Sequence, residues 1–162
     1  MTDTEAGPGS ITGTTTRPRL LIPALGPLYE TLEPFTWPLI RVTAGLMLVP
    51  HGYYKLANRS FDEIAAGFAK MDLEPAYALA VYLTLLEFAG GLMLAFGLFT
   101  RVVAALVVGF MAVAAFHVHL PNGFFWIAKG FEYPLFWGLV CVAIVIRGGG
   151  PMSLDAKIGR EV

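Results

Sequence analysis

Residues 77–99 read YALAVYLTLLEFAGGLMLAFGLF, an apolar run interrupted by one charged residue, Glu87. After Thr100 and Arg101, residues 102–120 read VVAALVVGFMAVAAFHVHL, with no Asp, Glu, Lys or Arg. A helix that crosses a membrane needs about 20 mostly apolar residues to span about 30 Å of hydrocarbon. Both runs have about this length. Because only two residues separate them, we expect two neighbouring antiparallel transmembrane helices.

The composition of the whole chain leads to the same class of protein. Of its 162 residues, 56% are apolar and 14% are charged, whereas a typical soluble domain is about 45–50% apolar and about 25% charged. Eleven basic residues nearly balance twelve acidic ones, so nucleic acid is not an expected partner. The single cysteine, Cys141, cannot form an intramolecular disulfide.

Two further apolar segments complete the predicted fold. Residues 35–54 and 131–146 are shorter or interrupted runs, and residues 124–128 can extend the second of them. We therefore predict an all-α four-helix transmembrane bundle over residues 35–147. Residues 1–34 are expected to form a flexible N-terminal tail and residues 148–162 a C-terminal tail.

The loop between the first two predicted spans carries its own helical pattern. Phe61, Ile64, Ala65 and Phe68 recur at helical spacing, while acidic residues lie off that stripe. This pattern predicts an amphipathic helix at the bilayer interface. Four spans place both termini on one side, which also holds seven of the eleven basic residues. The positive-inside rule then predicts cytoplasmic termini for a multi-pass protein of the plasma (inner) membrane.

Ionisable side chains gather at one depth of the predicted bundle. With the orientation given above, His51, Lys55, His119 and Glu132 come from three helices and lie in one layer near the outer surface. A charge at mid-bilayer costs about 2.5–3.5 kcal/mol, so such residues face protein or a wet cavity. We expect these side chains to surround a polar pocket.

Two charged residues lie deeper in the predicted bundle. Glu87 lies near the middle of its helix and Arg41 lies nearer the cytoplasmic side. An Arg–carboxylate pair is geometrically favourable, so Arg41 is the expected partner of Glu87. Such a buried pair can fix helix packing or act in function. In the other arrangement, Arg41 reaches the cytoplasmic interface and Glu87 is protonated.

The two histidines of the third span point in different directions. At 100° per residue, His117 and His119 are about 160° apart on a helix. Small residues cluster on the face of His119, so His119 is the residue expected to face inward. His117 is expected to meet lipid headgroups or a neighbouring subunit.

These residue types favour chemistry on a quinone. Histidine exchanges protons near neutral pH, and an apolar setting can raise the pKa of a carboxyl group. We assign His51, His119 and Glu132 to proton exchange as candidate catalytic residues, and Lys55, Glu87 and Arg41 to substrate binding. A haem held by two histidines is a weaker alternative because no c-type attachment motif is present. A metal site made by His51, His119 and Glu132 ranks lower still, so no metal ligands are assigned.

Several short motifs resemble the DoxX family of small four-helix membrane proteins. The resemblance runs from about residue 37 to residue 155, and Arg41 is similar to the arginine of the family's first helix. The motifs are HGYYKL at 51–56, EFAGG at 87–91, GLFTR at 97–101, HLPNGFF at 119–125, GFEY at 130–133, GGG at 148–150 and SLD at 153–155.

The resemblance implies two kinds of activity. One branch of the wider family supplies the membrane subunit of a thiosulfate:quinone oxidoreductase, and a mycobacterial branch is associated with a complex that links thiol handling to superoxide detoxification. We expect a quinone-binding membrane subunit, either with a partner oxidoreductase or as a homo-oligomer. Two alternatives stay open: a non-catalytic membrane scaffold for partner oxidoreductases, and a small-molecule transporter. Whether the chain is itself an enzyme is left open.

Overall fold

The structure is a computed structural model that describes residues 18–161. The first half of the expected flexible tail, residues 1–17, lies outside the described residues. The chain divides into two compact units, the first ending at Leu32 and the second beginning at Glu33. Every site discussed below belongs to the second unit.

The described residues form helices and loops with no β-strand, as expected for an all-α protein. Eight α-helices follow one another along this part of the chain. They are α1 (Gly26–Leu46), α2 (Val49–Asn58), α3 (Phe61–Ala69), α4 (Ala76–Leu85), α5 (Gly91–Phe96), α6 (Thr100–Val113), α7 (Glu132–Arg147) and α8 (Leu154–Ile158). A π-helical segment, Leu86–Gly90, joins α4 to α5, and a second, Ala114–His119, continues α6.

Two helices of the described chain are long and apolar enough to cross a membrane. They are Ala76–Phe96, with 21 residues, and Thr100–Asn122, with 23 residues. They correspond to the two central spans expected from the sequence. The outer two segments do not meet the same criterion, since α7 has only 16 residues and every 18-residue stretch of α1 contains Glu30, Glu33 and Arg41.

The first predicted span differs from the observed helices at both ends. The helix α1 begins at Gly26, so residues 26–34, which we expected in the flexible tail, are helical. Pro27 stands in the first turn, where its missing N–H is not needed for a helical hydrogen bond. The helix ends at Leu46, and α2 restarts at Val49 with Pro50 in its first turn. The expected continuous helix over residues 35–54 is therefore broken at residues 47–48.

Close helix packing in the second unit depends on glycine. A Cβ atom at Gly45 would overlap the backbone of Gly91 and Ala95, and a Cβ atom at Gly52 would overlap the backbone of Phe88. Small residues at a helix interface allow such backbone approach in membrane proteins. As a result, α1 and α2 contact the helix of residues 76–96 along its second half.

The amphipathic segment forms the expected helix, α3. Ser60 begins it with a capping box: the Ser60 hydroxyl accepts from the Glu63 backbone N–H, and the Glu63 carboxylate accepts from the Ser60 N–H, both at 3.2 Å. Ile64 is buried, and α3 packs on α4. This contact fixes the loop that leads into the first apolar span.

Residues 148–161 fold back on the start of α6, and we call them the C-terminal cap. Asp155 accepts hydrogen bonds from the backbone N–H of Phe99 (2.8 Å), the backbone N–H of Thr100 (2.9 Å) and the Thr100 hydroxyl (2.6 Å). Burial alone would raise the pKa of Asp155. The hydrogen bonds from Thr100 and Phe99 and the positive charge of Arg41 outweigh it, so the pKa lies below its ordinary value. The expected tail is thus an ordered helix cap.

Candidate functional site

A cavity of about 180 Å³ lies where α2, the two π-helical segments and the start of α7 meet; we call it the polar pocket. Its ionisable lining residues are His51, Glu87 and His119. Its aromatic lining residues are Phe110, Trp126 and Tyr133. Three of the six site residues expected from the sequence therefore share one cavity.

Each helix that supplies an ionisable group to the polar pocket departs from regular α geometry beside it. His51 follows the break between α1 and α2. Glu87 lies in the π-helical segment Leu86–Gly90, and His119 ends the segment Ala114–His119. Segments of π-helix are rare and occur frequently at functional sites. Three such departures around one cavity mark it as the candidate site.

Glu87 is paired with Lys55 rather than with Arg41. The Glu87 residue is 4% exposed, and Lys55 Nζ lies 2.6 Å from its Oε2 atom. No directed hydrogen bond from the described residues reaches that oxygen. The Lys55 side chain is 25% exposed, so the ion pair joins the protein surface to the polar pocket. The close approach of Gly52 to Phe88 places the two charged residues together.

Arg41 lies in a different part of the molecule, and the prediction that it pairs with Glu87 is wrong. Its guanidinium donates to the carbonyl oxygens of Gly149 and Met152, both at 2.9 Å. The residue is 2% exposed, and the carboxylate of Asp155 supplies the nearby negative charge. Because these partners come from the C-terminal cap, the spacing of residues within the spans could not indicate them. Arg41 does not line the polar pocket.

The hydrogen bond made by His119 defines which ring nitrogen is free. Its Nδ1 atom lies 2.7 Å from the carbonyl oxygen of Lys129. A carbonyl oxygen can only accept, so Nδ1 carries the proton and donates. In the neutral ring, Nε2 is then an unprotonated acceptor. In this tautomer His119 can act as a general base, and the hydrogen bond to the Lys129 carbonyl fixes the orientation of its ring.

His117 is exposed, and it also makes a contact within the protein. Its Nε2 atom lies 2.7 Å from the carbonyl oxygen of Met71, in the loop that follows α3. By the same reasoning Nε2 is the donor. His117 thus ties the end of α6 to the loop before α4.

Glu132 lies next to the polar pocket but does not line it. Its Oε2 atom accepts a hydrogen bond from the backbone N–H of Trp126 at 3.0 Å. The residue borders an adjoining cavity of about 520 Å³, which shares Trp126 and Tyr133 with the polar pocket. Glu132 therefore positions Trp126 and the loop that carries it. The Glu132 side chain, which we expected to exchange protons, therefore has no direct contact with the polar pocket.

Two aromatic side chains of the polar pocket were missed as site residues. Trp126 reads from sequence as part of an interfacial aromatic belt, and Tyr133 was assigned no role. Their rings are 5.0 Å apart, and Tyr133 also stacks on Trp137 at 5.5 Å. The ring of His119 is 5.8 Å from that of Trp126. The i, i+4 spacing of Tyr133 and Trp137 on α7 is the signal that could have indicated this stack.

The size and donors of the polar pocket limit what it can hold. Its volume of 180 Å³ is below the roughly 300–1,000 Å³ of cavities that enclose drug-sized ligands. It suits a single aromatic headgroup better than a haem. Within residues 18–161, no group of three or more His, Cys, Asp or Glu side chains is arranged to hold a metal ion.

Comparison with known proteins identifies the family. The model of the DoxX family matches residues 36–120. An uncharacterized protein of Haemophilus influenzae is 30% identical over 135 residues, which cover 82% of this chain and 97% of that protein. No solved structure matches the chain. The chain therefore belongs to the DoxX family, whose members are proteins of the lipid bilayer.

Proposed function

We propose that the protein is a four-span membrane subunit whose polar pocket binds the headgroup of a quinone-type substrate and exchanges protons with it. One observation carries this proposal. His51, Glu87 and His119, from three different helices, line one small cavity at three irregular points of those helices. Ionisable groups inside a membrane protein mark a functional site by default, because exposing them to hydrocarbon is costly.

The donors and acceptors of the polar pocket suit a quinone ring. A quinone presents two carbonyl oxygens, and its reduction to a quinol takes up two electrons and two protons. When both ring nitrogens of His119 are protonated, Nε2 can donate to a quinone carbonyl while Nδ1 donates to the carbonyl of Lys129. Trp126 and Tyr133 offer aromatic faces for stacking. In this proposal a partner oxidoreductase supplies the electrons, while this chain binds the ring and supplies the protons.

The Lys55–Glu87 pair gives the polar pocket a route to water. Lys55 is partly exposed, whereas Glu87 is buried and lines the cavity. A proton that reaches the pair from the surface can pass to a group bound in the pocket. His51, which is exposed, lies at the edge of the same cavity and offers a second route. Arg41 and Glu132 hold the helices and the loop around this site.

The substitution Glu87→Gln tests the proposal, because it keeps the size of the side chain and removes its charge. We expect the affinity of full-length protein in nanodiscs for methyl-para-benzoquinone to fall at least tenfold, measured by quenching of tryptophan fluorescence. Proton uptake on chemical reduction of the bound quinone should also be lost. Asp62→Asn, at an exposed acid of α3, is the matched control and should leave both unchanged. Undiminished binding and proton uptake in Glu87→Gln would exclude the site.

A second candidate function is the membrane scaffold for partner oxidoreductases. The loop between α6 and α7 favours it, because Phe125 is 68% exposed and Ile127 is 96% exposed. Exposed apolar groups on a loop are suited to a protein contact. A protein that co-purifies in stoichiometric amount, with no quinone retained in the polar pocket, would support the scaffold over the quinone-binding subunit.

A further inference from the structure

An apolar groove runs beside the polar pocket, between the two helices that are long enough to cross the membrane. Its volume is about 440 Å³, which is within the range of cavities that hold extended ligands. The walls that matter here are Leu79, Tyr82 and Leu83 of α4 and Ala105, Gly109 and Val113 of α6. Small residues at four-residue intervals on α6 leave the space that forms the groove.

The groove and the polar pocket share part of their walls. Phe110 and Ala114 line both cavities. Ala114 begins the π-helical segment that carries His119. A ligand with its ring in the polar pocket therefore needs to pass only these two side chains to extend into the groove.

The length of the groove fits a hydrocarbon chain. Its lining on α6 and the following segment runs from Ala105 to Val118, a distance of about 20 Å at 1.5 Å per residue. This exceeds half of the roughly 30 Å hydrocarbon core of a bilayer. The hydrogen bond between His117 and the Met71 carbonyl joins the two sides of the molecule near one end of the groove.

We infer that the substrate is a membrane lipid whose hydrocarbon tail occupies this groove while its polar ring occupies the polar pocket. The inference rests on the proposed function and names the substrate class: a tailed, bilayer-soluble molecule instead of a water-soluble one. The larger cavity bordered by Glu132 is a poorer route for a tail. The rings of Trp126 and Tyr133, tilted to each other with centroids 5.0 Å apart, stand between it and the polar pocket.

Gly109 allows a direct test. A Cβ atom added at Gly109 meets no atom within 4 Å, so Gly109→Leu fills the groove without displacing protein atoms. Gly67 on α3 has the same open surroundings and does not line the groove, so Gly67→Leu is the matched control. The probes are decyl-para-benzoquinone and methyl-para-benzoquinone, titrated against full-length protein in nanodiscs, with binding read by tryptophan fluorescence.

The wild-type protein and Gly67→Leu should bind the decyl probe at least tenfold more tightly than the methyl probe. The partition of each probe into the nanodisc lipid is measured separately and subtracted from the binding signal. In Gly109→Leu the preference should disappear, while affinity for the methyl probe stays the same. A second filling variant, Ala105→Leu, should act in the same direction.

Each contrary result points to a different error. Equal affinity of the wild-type protein for both probes, or a preference that survives in both filling variants, overturns the tail site and leaves the proposed function standing. No binding of either probe by the wild-type protein overturns the proposed function and the tail site together. A filling variant that also loses the methyl probe shows that the substitution acts on the ring site, which contradicts the assignment of the groove to the tail.

Discussion

Buried charged side chains have different kinds of partners near the two ends of α6. At its start, the carboxylate of Asp155 accepts three hydrogen bonds and the guanidinium of Arg41 donates two to backbone carbonyls. Past its other end, the carboxylate of Glu87 has an ion pair with Lys55 and borders a cavity. Both charges of the C-terminal cap thus have several directed hydrogen bonds, although Arg41 Nε has none, whereas Glu87 Oε2 is held by the ion pair alone.

This difference separates structural charges from candidate functional ones. A charged group held by several directed hydrogen bonds is fixed in one arrangement. An ionisable group that faces a cavity with few fixed partners can still bind a ligand or change its protonation. On this basis Arg41 and Asp155 are assigned to the fold, and Glu87 and His119, which line the cavity, are the candidates for contact with a substrate.

The largest expected effect is at the C-terminal cap. Asp155→Ala removes three hydrogen bonds from the start of α6 and leaves Arg41 buried without its nearby carboxylate. We expect a loss of about 3–5 kcal/mol in the free energy of unfolding, the usual cost of breaking a buried pair. Denaturant titration of the full-length protein in detergent measures it. Asp62→Ala, at an exposed acid, should cost less than about 1 kcal/mol. A loss as small as that control would show that the cap contributes little to stability.

The Lys55–Glu87 pair should respond unequally to removal of its two members. Lys55→Met leaves a buried carboxylate without its cation, and we expect a loss of about 3 kcal/mol. Glu87→Gln leaves a partly exposed ammonium that can reach water, so the loss should be less than about 1 kcal/mol. The same denaturant titration compares the two variants. Equal losses in the free energy of unfolding would show that burial of the Glu87 carboxylate does not depend on Lys55 more than Lys55 depends on Glu87.

The two histidines at the end of α6 should differ in their effect on binding. His119→Asn keeps a donor in reach of the Lys129 carbonyl and removes Nε2, which in the protonated ring donates to a quinone carbonyl. We expect affinity for methyl-para-benzoquinone to fall about tenfold, equivalent to about 1.4 kcal/mol. His117→Asn is the matched control, since His117 does not line the polar pocket, and its affinity should change less than twofold. Similar losses in both variants would indicate an indirect effect through the fold.

The smallest expected effect is the acid sensitivity of the C-terminal cap. The pKa of Asp155 is lowered in the folded protein, so its stabilisation is fully present above the pKa of an unfolded aspartate, about 3.9. It is lost as the pH falls through the lower folded value. The difference in unfolding free energy between wild type and Asp155→Asn should be constant from pH 7 to 5 and shrink below about pH 4. A difference that grows on acidification would contradict the lowered pKa.

The sequence predicts the parts of the fold that depend on local periodicity and composition. The two central apolar runs form helices of the expected length, and the amphipathic pattern forms α3. His51 and His119, expected to lie at one depth, border the same cavity. These features follow from hydrophobic pattern and helical rise, both of which can be read from adjacent residues.

The pairing of charges could not be predicted in the same way. The depth and angle of each residue were derived for straight, regular helices. The break at residues 47–48 and the π-helical segments change both quantities. Arg41 also finds its acceptors at Gly149 and Met152, more than one hundred residues away along the chain. Only the folded backbone shows that Lys55 is the cation beside Glu87.

The C-terminal cap also has a consequence for biosynthesis. Asp155 completes the hydrogen bonding of Thr100, a residue that leaves the ribosome 55 residues earlier. Both long apolar helices are therefore synthesised while the turn that joins them still lacks these hydrogen bonds. Translation must therefore pass residue 155, beyond the whole of α7, before this turn reaches its final stability.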